Sequence, residues 1–126
     1  MFKDTQAFSG FSVNDQEAAK EFYGTVLGLE VNGDQMGLHL NISGGIPVFV
    51  YPKKDHMAAS FTILNFPVAN IDETVDALVS KGVVFEQYEM TDEKGIARGL
   101  ANNMGPDIAW FKDPAGNILS VLQQNP

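Results

Sequence analysis

Two stretches of this chain place apolar residues at helical spacing, and most of the rest alternates with the period of a strand. Between Asp15 and Leu27, the residues Ala18, Ala19, Phe22, Tyr23 and Val26 recur every three or four positions and predict one apolar stripe. Between Ile71 and Lys81 the stripe is Ile71, Val75, Leu78 and Val79, all expected to be buried. Asp15 and Asn70 precede these helices with side chains suited to accept the free N–H groups of a first turn, and Glu73 has the spacing of a capping box. Gly28 and Gly82 stand just past the other ends, where a left-handed residue stops a helix.

Strands are expected near 6–13, 29–33, 36–42, 46–51, 60–67, 83–89, 97–103, 107–112 and 117–122, separated by turn residues such as Asn32-Gly33 and Ser43-Gly44-Gly45. Two equal modules need eight strands, so one of these nine is expected to be short or absent, within Val83–Asn103. The two modules are themselves legible. Phe11-Ser12-Val13-Asn14-Asp15 before the first helix matches Phe66-Pro67-Val68-Ala69-Asn70 before the second, 55 residues later. The chain is therefore expected to be one α+β domain over residues 1–126, with module 1 at about 1–55 and module 2 at about 56–126, each running strand, helix and three strands.

Because strand side chains alternate, the residues beneath the helices separate from those on the opposite face. Phe11 and Val13 belong under the first helix, which sends Phe8, Gly10 and Ser12 to the other side. Leu64, Phe66 and Val68 belong under the second, leaving Ile63, Asn65 and Pro67 opposite. The same rule puts His39 and Asn41, then Phe49 and Tyr51, then Ile118, Ser120 and Leu122 on the face away from the helices. That face mixes aromatic, aliphatic and neutral polar groups, a lining suited to a pocket or a subunit interface.

Composition narrows the function. The chain has 126 residues, 44% hydrophobic, with nine Phe, enough for a core of its own. No apolar run approaches the roughly 20 residues needed to span a bilayer, and Met1-Phe2-Lys3-Asp4 lacks a signal peptide's pattern, so a cytoplasmic protein without a membrane partner is expected. Sixteen acidic against eight basic residues give a net charge of -8, which would repel a phosphate backbone and argues against nucleic acid as a partner. With no cysteine, there are no disulfides or thiolate metal sites, and any metal would need His and carboxylate ligands.

His39 is the titratable candidate on the predicted pocket face, as a general base or hydrogen-bond donor, against a structural or solvated role. His56, in the polar connection after Lys53-Lys54-Asp55, is given no site role. Glu86 and Glu89 flank Tyr88 as a carboxylate pair or as solvated charges. Arg98, the single arginine, suits an anionic ligand group or a surface ion pair. Trp110 suits stacking on a planar ligand or core packing, and the Gly95–Gly105 stretch could form a flap.

Together, Phe11-Ser12-Val13-Asn14-Asp15, Phe22-Tyr23-Gly24-Thr25-Val26-Leu27-Gly28-Leu29-Glu30 and Asp113-Pro114-Ala115-Gly116-Asn117 resemble the vicinal oxygen chelate superfamily, which includes glyoxalase I, extradiol dioxygenases, fosfomycin resistance proteins and bleomycin resistance proteins. The resemblance implies paired βαβββ modules whose curved mixed sheets form a cavity, with helices on the outer face, commonly in a homodimer. It also implies that metal-dependent relatives take their ligands from the cavity face of the first and last strands of the modules. Those positions here are Phe8, Ile63, Ser120 and Phe49, none of which is a competent ligand for a divalent metal.

The expectation is a metal-independent protein with no cofactor, binding a small planar or aromatic molecule as bleomycin resistance proteins do, with self-protection against a toxic natural product as one role for such binding. Its expected lining is Phe8, His39, Asn41, Phe49, Tyr51, Ile63, Asn65, Arg98, Trp110 and Ser120, with His39 as the candidate for any catalysis. The alternative is a lyase, isomerase or dioxygenase resembling glyoxalase I, with a metal held by His39 and Glu86 or Glu89.

Overall fold

The computed structural model describes residues 1–125, in two compact units, Met1–Ala58 and Ala59 onward. The first contains β1 (Gly10–Val13), α1 (Gln16–Glu21), a wide π-helical turn (Phe22–Val26), β2 (Glu30–Gly33), β3 (Leu38–Asn41) and β4 (Val48–Pro52). The second contains β5 (Thr62–Pro67), α2 (Ile71–Ser80), β6 (Ile96–Arg98), a 3₁₀ turn (Leu100–Asn102), β7 (Asp107–Lys112) and β8 (Ile118–Gln123). Each unit is a βαβββ module with one four-stranded mixed sheet, ordered β1-β4-β3-β2 and β5-β8-β7-β6. In each, the first and last strands pair in parallel and the other pairs are antiparallel.

The caps form where the sequence places them. Asp15 accepts from the Ala18 N–H at 3.1 Å and Asn70 from the Glu73 N–H at 3.0 Å. Val13, Leu38, Leu40 and Val50 are fully buried in the first unit, and Ile71, Ile96, Phe111 and Leu119 nearly so in the second. Val13, Leu38, Leu40, Val50 and Leu119 are strand positions whose alternation predicts burial on the helix side, and Ile71 belongs to the predicted helix stripe. Burying each such side chain contributes about 1.5–3 kcal/mol.

Four local expectations are corrected. The first helix is not uniformly α: the Leu27 N–H donates to the Phe22 carbonyl at 2.9 Å, a five-residue step that widens the turn around Gly24. In α2, Val79 is 53% exposed, because the buried stripe is carried by Ile71 and Val75. The segment 83–89 is no strand. Val83 and Phe85 are buried while Val84 is 79% exposed, so the alternation is real, but Phe85 makes only one isolated bridge, to Phe111. The segment 97–103 breaks after Arg98, where the Met104 N–H returns to the Gly99 carbonyl at 2.9 Å and Asn103 adopts a left-handed φ of 53°.

The turn Asp113–Asn117 is built by its own side chains. Asp113 Oδ1 accepts from the Ala115 and Asn117 N–H groups at 3.0 and 2.9 Å, and Gly116 takes the left-handed φ of 87° that the turn requires. Asn117 Oδ1 accepts from the Ala59 N–H at 3.0 Å, and its Nδ2 donates to Asp113 Oδ2 at 3.2 Å. Both side chains are buried, so this motif has a structural task. Asn117→Ala strands these partners and is expected to cost about 1–3 kcal/mol, read as a lower urea midpoint at unchanged slope.

Candidate functional site

The candidate site is the sheet face turned away from the helix, and each unit builds its own version. In the first unit, cross-strand pairing aligns Gly10, Phe49, His39 and Asn32 in one row, with Ser12 beside Tyr51 in the next. The Phe49 and Tyr51 rings stack with centroids 5.8 Å apart at 22°, and His39 leans on Phe49 at 5.3 Å. Gly37 makes room for this: a Cβ there would meet the Phe49 ring at 2.9 Å and collide with the Val50 carbonyl oxygen. Asn41 donates from Nδ2 to the Glu30 carbonyl at 3.2 Å. His39 is exposed and its imidazole makes no hydrogen bond among the described residues.

Sequence reasoning missed His56. The chain leaves β4 through a bond from the Lys53 N–H to the Val13 carbonyl and turns back, so that His56 Nδ1 lies 2.6 Å from Ser12 Oγ. The signal available was the short turn after a strand that pairs with Ser12, a long-range fact that periodicity does not encode. Phe8 lies outside β1 and is 66% exposed, because the β1–β4 pairing starts only at Gly10.

In the second unit the corresponding row is Asn65, Ser120 and Trp110. Ser120 is 0% exposed and its Oγ donates to Asn65 Oδ1 at 2.6 Å. The Trp110 and Tyr88 rings meet edge to face at 5.5 Å. Ile63 is a surplus residue in β5: Thr62 pairs with Ile118 and Leu64 with Leu119, leaving a bulge between them.

Arg98 stands apart from this row. Its pairing with Asp107 puts it on the α2 side of the sheet, where Nη1 and Nη2 take both Asp72 oxygens at 2.9 Å and Nε takes Asp92 at 3.0 Å. The ion-pair role applies, because α2 supplies a carboxylate aligned with the guanidinium fork. Glu86 faces Lys112 at 3.5 Å, and Glu89 is exposed.

A metal of the kind the resemblance implies does not fit the four positions it points to. Phe8, Phe49 and Ile63 offer no donor atom, and the Ser120 hydroxyl is neutral with its proton committed to Asn65. Among the described residues no three of His, Asp or Glu are grouped to hold a metal ion.

Residues 7–121 match the family model described as the Glyoxalase/Bleomycin resistance protein/Dioxygenase superfamily. The chain belongs to that superfamily. No curated protein matches it in sequence. Among solved structures it is similar to TnmS3, an antibiotic binding protein from Streptomyces sp. CB03234, at 22% identity over 97% of this chain and 98% of that one, TM-score 0.67. It is also similar to a glyoxalase family protein from Enterococcus faecalis, at 22% identity over 97% and 99%, TM-score 0.68. A third is a superfamily member from Sphaerobacter thermophilus, at 21% identity over 94% and 97%, TM-score 0.66. At these identities the likeness establishes the fold, which glyoxalase-type proteins share across different activities.

The ion-pair cluster predicts an acid response. Hydrogen bonds from Arg98, then from Lys94, hold the Asp72 carboxyl well below the usual carboxylate range. A carboxylate depressed in the folded state stabilises the protein above its unfolded value near pH 4, and that contribution is lost as pH falls. Both partners are substantially exposed, so the contribution should stay under about 1 kcal/mol. Asp72→Asn should flatten the decline of urea stability below about pH 4.

Proposed function

We propose that this superfamily member binds a small, largely aromatic molecule without a metal and sequesters it, as a cytoplasmic homodimer. The observation that carries this reading is the pair of last-strand positions. Phe49 and Ser120 occupy the same place in their respective sheets, next to Gly10 and Asn65, and neither can act as a metal ligand of the kind that metal-dependent relatives require. An aromatic stack takes that place in the first unit, and a buried hydroxyl in the second.

Two further observations support it. Phe49, Tyr51 and Trp110 present ring faces and edges on the sides of their sheets away from the helices, which suits a planar ligand. TnmS3, which has a similar structure, is an antibiotic binding protein, which supports a toxic natural product as the ligand class. Among the described residues no helix is long and apolar enough to cross a membrane.

Titration with planar antibiotics, following Trp110 fluorescence, should give a saturable response that a chelator leaves unchanged. Phe49→Ala should weaken binding by about tenfold, as expected for loss of one aromatic contact. Stoichiometric metal in protein purified without chelator, required for binding or turnover, would instead establish the lyase, isomerase or dioxygenase alternative.

A further inference from the structure

We propose that Asn65 is a hydrogen-bond donor that selects, among planar aromatic ligands, those carrying a carbonyl or phenolate oxygen, and that Ser120 sets its orientation. The inference rests on the binding role proposed above and specifies the ligand class. An Asn side chain has a donor end and an acceptor end of nearly the same shape, so its direction must be argued from its partners. Here the partner decides. The Ser120 hydroxyl is fully removed from solvent, and its proton has one acceptor, Asn65 Oδ1 at 2.6 Å.

Were the amide reversed, Asn65 Nδ2 would donate to Ser120 Oγ and the hydroxyl proton would have no acceptor among the described residues. A buried donor left without a partner costs about 1–3 kcal/mol. The arrangement with Oδ1 turned to Ser120 therefore holds, and the Asn65 NH₂ faces outward. It donates to nothing among the described residues. Asn65 itself is exposed, so this donor is accessible to a ligand.

The surroundings give that donor weight. By sheet pairing, Pro67, Ile118, Leu122, Ile108 and Trp110 share its face, with Lys112 beside Ile118 at the edge, paired to Glu86 at 3.5 Å. A ligand laid on this apolar surface beside the indole displaces water, and a hydrogen bond made there is stronger than in bulk solvent. A ligand without an acceptor would leave the amide desolvated and unpaired, so the selection comes from a penalty as well as an attraction.

Three planar tricycles of similar shape test this: 9-fluorenone carries an acceptor, fluorene carries neither group, and carbazole carries a donor. Calorimetric titration of the full chain should show fluorenone bound about tenfold more tightly than fluorene, the worth of one hydrogen bond. Asn65→Leu, at an exposed position, should abolish that ratio while fluorene still binds. Ser120→Ala should shrink it by freeing the amide to turn. Equal binding of fluorenone and fluorene by the wild-type protein, or preference for carbazole, overturns the proposal. The amide's direction is also read without any ligand, from NMR contacts between Ser120 and the Asn65 side-chain NH₂. Close contacts there overturn it directly. Failure of all three tricycles to bind, with the amide directed as described, overturns the binding reading and the ligand role of Asn65 with it.

Discussion

In each unit the first and last strands lie side by side and run the same way, so no hairpin can join them. The helix and the two strands between them must carry the chain across and back. That single pairing sets the side of every neighbouring residue. With Gly10 against Phe49 and Asn65 against Ser120, the aliphatic residues between fall beneath the helix and the rest are turned away from it. A slip of one residue would exchange the two sets, burying polar groups and exposing the core.

The two sheets use the same scaffold to different ends. At the position that adjoins the first strand, one carries an aromatic ring stacked on Tyr51 and the other a small hydroxyl enclosed against Asn65. The residues that maintain the fold are elsewhere: the buried aliphatics, the caps at Asp15 and Asn70, and the Asp113–Asn117 turn. Motifs that identify the superfamily in this chain are therefore motifs of construction. They carry information about shape and very little about reaction, which is why membership alone leaves the activity open.

Much of this was legible in the chain. The caps, the repeat, the βαβββ order within each module and the alternation of Leu38, His39, Leu40 and Asn41 are local or nearly so, and short-range physics determines them. The failures share a different cause. Val83 and Phe85 alternate like a strand yet bridge their neighbour only once, since burial of one side does not require a ladder. The turn at Phe22–Val26 widens where Gly24 weakens the α form, a choice finely balanced against ordinary helix. His56 reaching Ser12, Arg98 gripping Asp72 and Ser120 donating to Asn65 span 44, 26 and 55 residues, beyond any periodicity.

The bulge at Ile63 changes how the internal repeat should be understood. Counting 55 residues from Phe8 reaches Ile63, but in the sheet Ile63 is an extra residue with no partner of its own, while Phe8 precedes its strand altogether. Numerical equivalence between the halves therefore ends where pairing begins. The bulge also gives the second half a point at which chain length can vary by one residue upstream of Asn65 while the row it supports stays in phase.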